Sequence, residues 1–133
     1  MFTRIDHVMI AVPDLQQGID QYTRLGFNIY PGGVHPNRGT HNAIAFHRDD
    51  YLELLGVRDR AEHVTGAARP GSADAGLLDF IAAGGGLRYI ILQSDDLATD
   101  VAAMRSRGVD VSDAIEGGRR TPQGMELRWK GAV

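Results

Sequence analysis

An internal repeat is the feature of this sequence that most restricts its fold. Residues Ile5–Ile29 align without a gap over Leu87–Val111, at an offset of 82 residues. Asp14 then falls over Asp96, and most apolar residues fall over apolar counterparts. A repeat of this size predicts that the chain is built from two copies of one supersecondary unit.

Each copy has the pattern of a strand, a helix and a second strand. In the first copy, Val8, Ile10 and Val12 alternate with other residues, which is the period of a strand. Asp14 is a preferred helix N-cap residue, and apolar residues then recur at helical spacing. Gly26 suits the left-handed turn that ends a helix. The second copy repeats this order.

The first copy continues into a predicted hairpin. The segments His41–Phe46 and Tyr51–Val57 are short and apolar, and Arg48–Asp50 between them has the composition of a tight turn. The first half of the chain is therefore predicted to be a βαβββ module.

The chain of residues 1–133 is predicted to be one domain with two modules. The predicted division is module one at 1–57, a connector at 58–86 and module two at 87–133. The connector contains a predicted short helix at Leu77–Ala83. The repeat offset places the counterpart of Glu53 beyond Val133, so the last strand of module two is predicted to be short or missing.

Composition excludes several classes of function. The sequence has no cysteine, which excludes disulfides and a cysteine nucleophile. A net charge of −3 gives no electrostatic basis for nucleic-acid binding, and no apolar run is long enough to span a membrane. The N-terminus has no signal-peptide pattern, so a cytoplasmic protein is expected. Without a phosphate loop or dinucleotide fingerprint, no nucleotide cofactor is expected.

The segments IDHVMIAVPDL, LGF, GGVHPNRGTHN and YLELLGV resemble the glyoxalase-like branch of the vicinal-oxygen-chelate (glyoxalase/bleomycin resistance/dioxygenase) superfamily. The resemblance extends from about Ile5 to Trp129. It implies an α+β fold, in which paired βαβββ modules form a curved, partly open mixed sheet around a cleft for a small molecule.

The resemblance also implies a divalent metal, with Zn, Ni, Mn or Fe as the candidates. In many members each module supplies one ligand from its first strand and one carboxylate from its last strand. The positions that match in module one are His7 and Glu53. Module two departs from this pattern, because Tyr89 stands at the first-strand position and the last-strand position lies beyond Val133.

Strand alternation places His7 on the same face as Met9 and Ala11. The opposite, purely apolar face should pack on the helix, so His7 is predicted to face the cleft. A neutral imidazole there is a good metal ligand. The alternative is a half-buried histidine that hydrogen-bonds a neighbour.

Glu53 lies between leucines, where a carboxylate is costly to bury unless it is paired, bound to a metal or facing water. It is predicted to be a metal ligand or a catalytic base with a raised pKa. The alternative is a carboxylate at the rim of the cleft, paired with an arginine.

Two further candidates lie in or just after the glycine-rich segment Pro31–Gly39, which is predicted to be a loop. His35 is predicted to contact the substrate or its proton as a second catalytic residue, with a mobile loop residue as the alternative. Asn42 is a candidate for substrate binding, although turn chemistry also explains it. Three other residues are predicted to line the cleft and bind substrate: Tyr51, Tyr89 and Gln93. Trp129 fits either the cleft or the core.

Two functions remain open from the sequence. The first is a metal-dependent enzyme of lyase or isomerase type that acts on a small oxygenated substrate. The second is a metal-free protein that sequesters a drug or metabolite, which the missing half of the ligand set favours. A fragment whose missing strand carries part of the site is a third possibility. A homodimer is expected, since a missing final strand leaves a sheet edge to be covered.

Overall fold

The computed structural model describes residues Met1–Val133, which form one curled, open, mixed sheet of seven strands with four helices. The strands are β1 Phe2–Ala11, β2 Tyr30–His35, β3 Thr40–His47, β4 Asp50–Val57, β5 Gly86–Ser94, β6 Ile115–Arg120 and β7 Glu126–Gly131. The helices are α1 Leu15–Arg24, α2 Arg60–Ala67, α3 Leu77–Ala82 and α4 Leu97–Ser106. None of the helices has the length and apolar character needed to cross a membrane.

The strand order is β5-β1-β4-β3-β2-β6-β7. Within module one, β1 pairs in parallel with β4, and β3 pairs antiparallel with β4 and β2. Module two adds β5 beside β1 and joins β6 to β2 through the pair Val34 and Arg120. Module one contributes four strands and module two contributes three, and the predicted α+β architecture with a curved, partly open mixed sheet is confirmed.

The first helix of each module begins and ends as the repeat predicts. The Asp14 side chain accepts a hydrogen bond from the backbone N–H of Gln17 at the start of α1. Asp96 accepts from the backbone N–H of Thr99 in the same way at the start of α4. These caps satisfy backbone donors that a helix start leaves without partners. Both helices are followed by a glycine with positive φ.

The two faces of the central strands pack against different helices. One face holds a core of Val12, Ala43 and Leu54, which packs against apolar residues of α1. The other face holds Met9, Ala11 and Leu55, which pack with Leu77 of α3. The prediction that the face containing Ile10 and Val12 packs on the first helix is therefore confirmed.

The connector contains one helix that the sequence reasoning did not predict. Helix α2 begins after Asp59, whose side chain accepts a hydrogen bond from the backbone N–H of Glu62. This Asp-x-x-Glu spacing is a local capping signal. A two-pronged ion pair, with both N–O distances 2.6 Å, joins Arg38 of the β2–β3 turn to buried Asp74 of the connector. The connector is thus fixed against module one.

Leu54→Ala is expected to lower the free energy of unfolding by about 2–5 kcal/mol, because it leaves a cavity in a well-packed core. The Leu54 side chain is 0% exposed. Leu25→Ala is the matched control: this leucine is 73% exposed, and its loss should change stability by about 0.5 kcal/mol or less. Urea denaturation measures both, and equal losses would contradict the described packing.

Candidate functional site

Strand register brings four polar side chains to one face of three adjacent strands. His7 on β1 lies opposite Tyr51 on β4, and Glu53 is two residues further along β4 on the same face. On β3, Ile44 lies opposite Glu53, and Asn42 is its neighbour on that face. Since alternate residues of a strand share a face, these side chains converge.

Glu53 lies at the centre of this cluster and is only 5% exposed. Its Oε2 atom lies 3.2 Å from His7 Nε2. Its Oε1 atom accepts a 2.6 Å hydrogen bond from Asn42 Nδ2. The structure therefore brings together the two residues on which the sequence hypothesis depends, and it satisfies a buried carboxylate with two side chains.

The pKa of Glu53 lies below its ordinary value, and this corrects the expected raised pKa. Burial alone would raise the pKa of Glu53. Hydrogen bonds from His7 and Asn42 oppose that effect and outweigh it. Glu53 is therefore an ionised carboxylate whose partners come from neighbouring strands.

His7 is held in one orientation from three sides. Its Nδ1 atom lies 2.8 Å from Asp6 Oδ2, while Nε2 faces Glu53. Its ring stacks on Tyr51 with centroids 4.4 Å apart and planes 9° apart. Burial lowers the pKa of His7, but its contacts with Glu53 and Asp6 raise the pKa above the ordinary value. The pair of His7 and Glu53 thus favours an imidazolium facing a carboxylate.

His35 and Tyr51 are neutral groups at the edge of this pair. His35 ends β2, is 2% exposed, and places Nδ1 2.9 Å from Thr40 Oγ1 and Nε2 4.0 Å from Glu53 Oε1. Burial, followed by the charge of Arg38, lowers the pKa of His35 to about 4. Burial and the nearby carboxylates raise the pKa of Tyr51. At neutral pH both rings are therefore uncharged hydrogen-bonding groups.

Module two contributes Trp129 and Arg119 to the same region. Trp129 lies opposite Gly117, and its indole covers that glycine so closely that a Cβ there would be 2.4 Å from Nε1. The indole meets His35 edge-on, with centroids 6.2 Å apart. Arg119, two residues along from Gly117, places Nη1 2.7 Å from where a Cβ on Gly32 would be.

Sequence reasoning considered Trp129 for the cleft but missed Arg119 altogether. Arg119 shares a face with Gly117, but only the pairing of β6 with β7 in the structure shows that Gly117 lies opposite Trp129. The closely spaced arginines Arg119 and Arg120 gave no reason to choose one of them from the sequence alone.

The remaining predicted substrate contacts lie along β5, which is separated from β4 by β1. Tyr89 packs beside Met9 and the residues of α3, with the Arg88 guanidinium 5.0 Å from its ring. Gln93 is exposed and accepts a 2.7 Å hydrogen bond from Arg4 Nε. Neither side chain hydrogen-bonds the cluster around Glu53, and their roles in substrate binding stay predictions.

The side chains around Glu53 supply only part of what a divalent metal needs. His7 and Glu53 have suitable atoms, and Asp6 holds the second ring nitrogen of His7 as second-sphere carboxylates do in metal sites. No group of three or more His, Cys, Asp or Glu side chains is arranged to hold a metal ion, however. Protein metal sites commonly use three or four such ligands. These residues alone do not fit a metal centre.

Two surface cavities lie away from the polar cluster formed by His7, Asn42, Tyr51 and Glu53. One, of about 200 Å³, is lined by residues such as Phe27 and Phe46, and the other, of about 290 Å³, lies between α2 and α3 beside His63. Neither is lined by His7, Glu53 or Arg119. Because these cavities lack the convergent ionisable groups, the polar cluster is the better candidate site.

The paired modules and the His7–Glu53 cluster define a glyoxalase-like protein of the vicinal-oxygen-chelate superfamily. The family of the glyoxalase-like domain matches residues 5–133, which is nearly the whole chain. The protein belongs to this family. No curated protein matches the sequence significantly.

Solved structures share this fold. A hypothetical protein from Staphylococcus aureus matches 97% of this chain with a TM-score of 0.78 and 21% identity. The match covers 51% of that protein, so the chain spans about half of its length. Methylmalonyl-CoA epimerase from Streptomyces coelicolor, in complex with 2-nitronate-propionyl-CoA, is 26% identical over 98% of this chain and 89% of its own, with a TM-score of 0.63. The epimerase from Mycobacterium tuberculosis is 24% identical over 98% and 79%, with a TM-score of 0.62.

Acidification is expected to destabilise the folded chain through His35. Its pKa falls from an ordinary 6.5 to about 4 on folding, so the unfolded chain binds a proton that the folded chain resists. The stability contributed by neutral His35 is present above pH 6.5 and is lost as pH falls towards 4, by up to about 3 kcal/mol. Urea denaturation between pH 6.5 and pH 4 should show that the free energy of unfolding falls less steeply in His35→Gln than in the wild-type protein.

The control for this measurement is His47→Gln, since His47 is exposed at the end of β3. In this variant the free energy of unfolding should depend on pH as it does in the wild-type protein. A His35→Gln variant with the full wild-type dependence would show that other groups cause the acid sensitivity.

Proposed function

We propose that this protein is an enzyme of lyase or isomerase type that moves a proton on a small oxygenated substrate in the cleft between its modules. The observation that carries the proposal is the ionised Glu53 carboxylate, buried between His7 and Asn42. An ionised group in such a place is costly unless function or pairing retains it.

Glu53 is the proposed base. Its carboxylate accepts a proton from a substrate carbon beside a carbonyl group, and the electron pair moves to the carbonyl oxygen. The lowered pKa of Glu53 makes it a weak base in water, so the reaction relies on contact with a positioned substrate. His7, whose pKa is raised by Glu53 and Asp6, keeps the Glu53 carboxylate ionised and oriented until the substrate proton arrives.

Neutral donors around Glu53 stabilise the oxygen that gains charge. Tyr51 and His35 stay uncharged at neutral pH, so each can donate a hydrogen bond without adding a charge of its own. Asn42 positions Glu53 through Nδ2, and its Oδ1 atom has no partner in the protein. These three residues are the proposed substrate contacts of module one.

The structural relatives support an isomerase-type reaction. The similar chains from Streptomyces coelicolor and Mycobacterium tuberculosis are methylmalonyl-CoA epimerases. An epimerase inverts a stereocentre, which a buried base beside an acidic carbon can achieve through proton transfer. The shared fold favours this class of reaction for the present chain, but it does not identify the substrate.

A metal-free binding protein is the second candidate function. The incomplete metal-ligand set favours it, as do the two aromatic rings, Tyr51 and Trp129, beside the cluster. A homodimer is proposed for either function, since the edge strand β5 leaves Ile90 56% and Leu92 46% exposed.

Glu53→Gln is expected to reduce proton exchange by about 100-fold or more, because it removes the proposed base. The assay follows deuterium incorporation from D2O by NMR into small 2-oxo and 2-hydroxy carboxylates and their thioesters. Glu116→Gln is the matched control, since that side chain is 77% exposed on β6. Saturable ligand binding without exchange in the wild-type protein would favour the binding function instead.

The predicted metal ligands can be tested separately. If His7 and Glu53 bind a metal, protein purified without an affinity tag should contain Zn, Ni, Mn or Fe in stoichiometric amount by elemental analysis. His7→Ala should lose that metal, while exposed His47→Ala should retain it. Metal-free protein whose melting temperature is unchanged by a chelator would contradict the metal assignment.

A further inference from the structure

Arg119 is a half-buried arginine without a partner in the protein. Of the arginines that are not exposed, Arg38 is paired with Asp74, and Arg88 donates to the carbonyl of Ala75. Arg119 makes no side-chain hydrogen bond, and no carboxylate oxygen lies within 4.0 Å of its guanidinium. Its Nη1 atom is buried nonetheless.

A second unpartnered polar atom lies beside it. Asn42 is 5% exposed, and its Oδ1 atom is buried without a hydrogen bond. Asn42 Oδ1 and Arg119 Nη1 lie 2.1 Å and 2.7 Å from the same point, where Gly32 would carry a Cβ. A Cβ at residue 32 would collide with both atoms, so the glycine allows Asn42 Oδ1 and Arg119 Nη1 to lie close to each other.

The charge of Arg119 is not balanced within the site. Glu53 is already engaged by His7 and Asn42, and His35 is neutral. The amide oxygen of Asn42 could accept one N–H of Arg119 after a small rotation, but it carries no charge. A partly desolvated guanidinium is costly without an anion, and its planar fork matches the two oxygens of a carboxylate.

We propose that Arg119 binds a carboxylate group of the substrate, while Asn42 Oδ1 accepts a hydrogen bond from a hydroxyl group of the same molecule. This inference rests on the proposed function and names its substrate class, a small hydroxy carboxylate whose reacting carbon lies at Glu53. Arg119 then offsets the repulsion between Glu53 and the substrate anion. It also stabilises the further negative charge that forms when the carbon loses its proton.

Trp129 gives this binding a built-in reporter. It is the one tryptophan of the sequence, and its strand β7 pairs with the strand that carries Arg119. Its ring lies 6.2 Å from that of His35. Intrinsic fluorescence therefore reports on the region that a ligand of Arg119 would enter.

The test compares hydroxy carboxylates with their neutral amides, using lactate with lactamide and glycolate with glycolamide. Wild-type protein should show a saturable fluorescence change with the carboxylates and a weaker response to the amides. Arg119→Gln should weaken carboxylate binding by about tenfold or more and leave amide binding unchanged. Arg119→Lys should recover part of the loss, because it restores charge without the fork.

Arg120→Gln is the matched control, since Arg120 is the exposed neighbour that pairs with Glu126. It should bind the carboxylates as the wild type does. Equal binding of carboxylate and amide by the wild-type protein, no carboxylate response, or unchanged carboxylate affinity in Arg119→Gln would overturn the inference. Equal losses for carboxylate and amide in Arg119→Gln would also overturn it, because they indicate a structural contact with Asn42.

The same titration separates this inference from the proposed function. Glu53→Gln should bind the carboxylates at least as tightly as the wild type, because it removes a negative charge, while proton exchange is lost. Retained exchange in Glu53→Gln would overturn the proposed base and leave the role of Arg119 intact. Unchanged carboxylate binding in Arg119→Gln would overturn the role of Arg119 and leave Glu53 as the proposed base.

Discussion

The burial of the Glu53 carboxylate is the constraint on which the candidate site depends. Two partners stabilise the charge, His7 from β1 and Asn42 from β3, and both require the observed strand register. A shift of one residue in either pairing would turn these side chains to the opposite face and leave a carboxylate buried without partners. The observed strand register is therefore required for Glu53 to contact both of its partners.

The charges of the site divide between the two modules. Module one supplies an acid–base pair, His7 and Glu53, whose charges offset each other. Module two supplies Arg119, whose charge has no counterpart among the neighbouring side chains. A pair that can transfer a proton and a separate cation that can hold an anion are the two parts that proton abstraction from a carboxylate substrate requires.

Prediction from the sequence succeeded where the signal was local and failed where it depended on neighbours in space. The caps Asp14 and Asp96 and the alternation around His7 identified the first strand and the first helix of each module. The positions of β2 and β6 were wrong, because both strands begin after the end of the repeat and contain glycines that were taken as signs of a loop. Helix α2 was missed, because its main local signal is one cap at Asp59. The sign of the pKa shift of Glu53 was wrong, because burial was anticipated and the two hydrogen bonds from other strands were not.

The sequence by itself determined the α+β plan of two related halves and the placement of His7 and Glu53 on one face of the sheet. These follow from periodicity, caps and a repeat, which are properties of neighbouring residues along the chain. Only the tertiary structure decided that Arg119 lies beside Asn42. That placement depends on β6 joining β2 at Val34 and Arg120, a pairing between distant segments that no local pattern encodes.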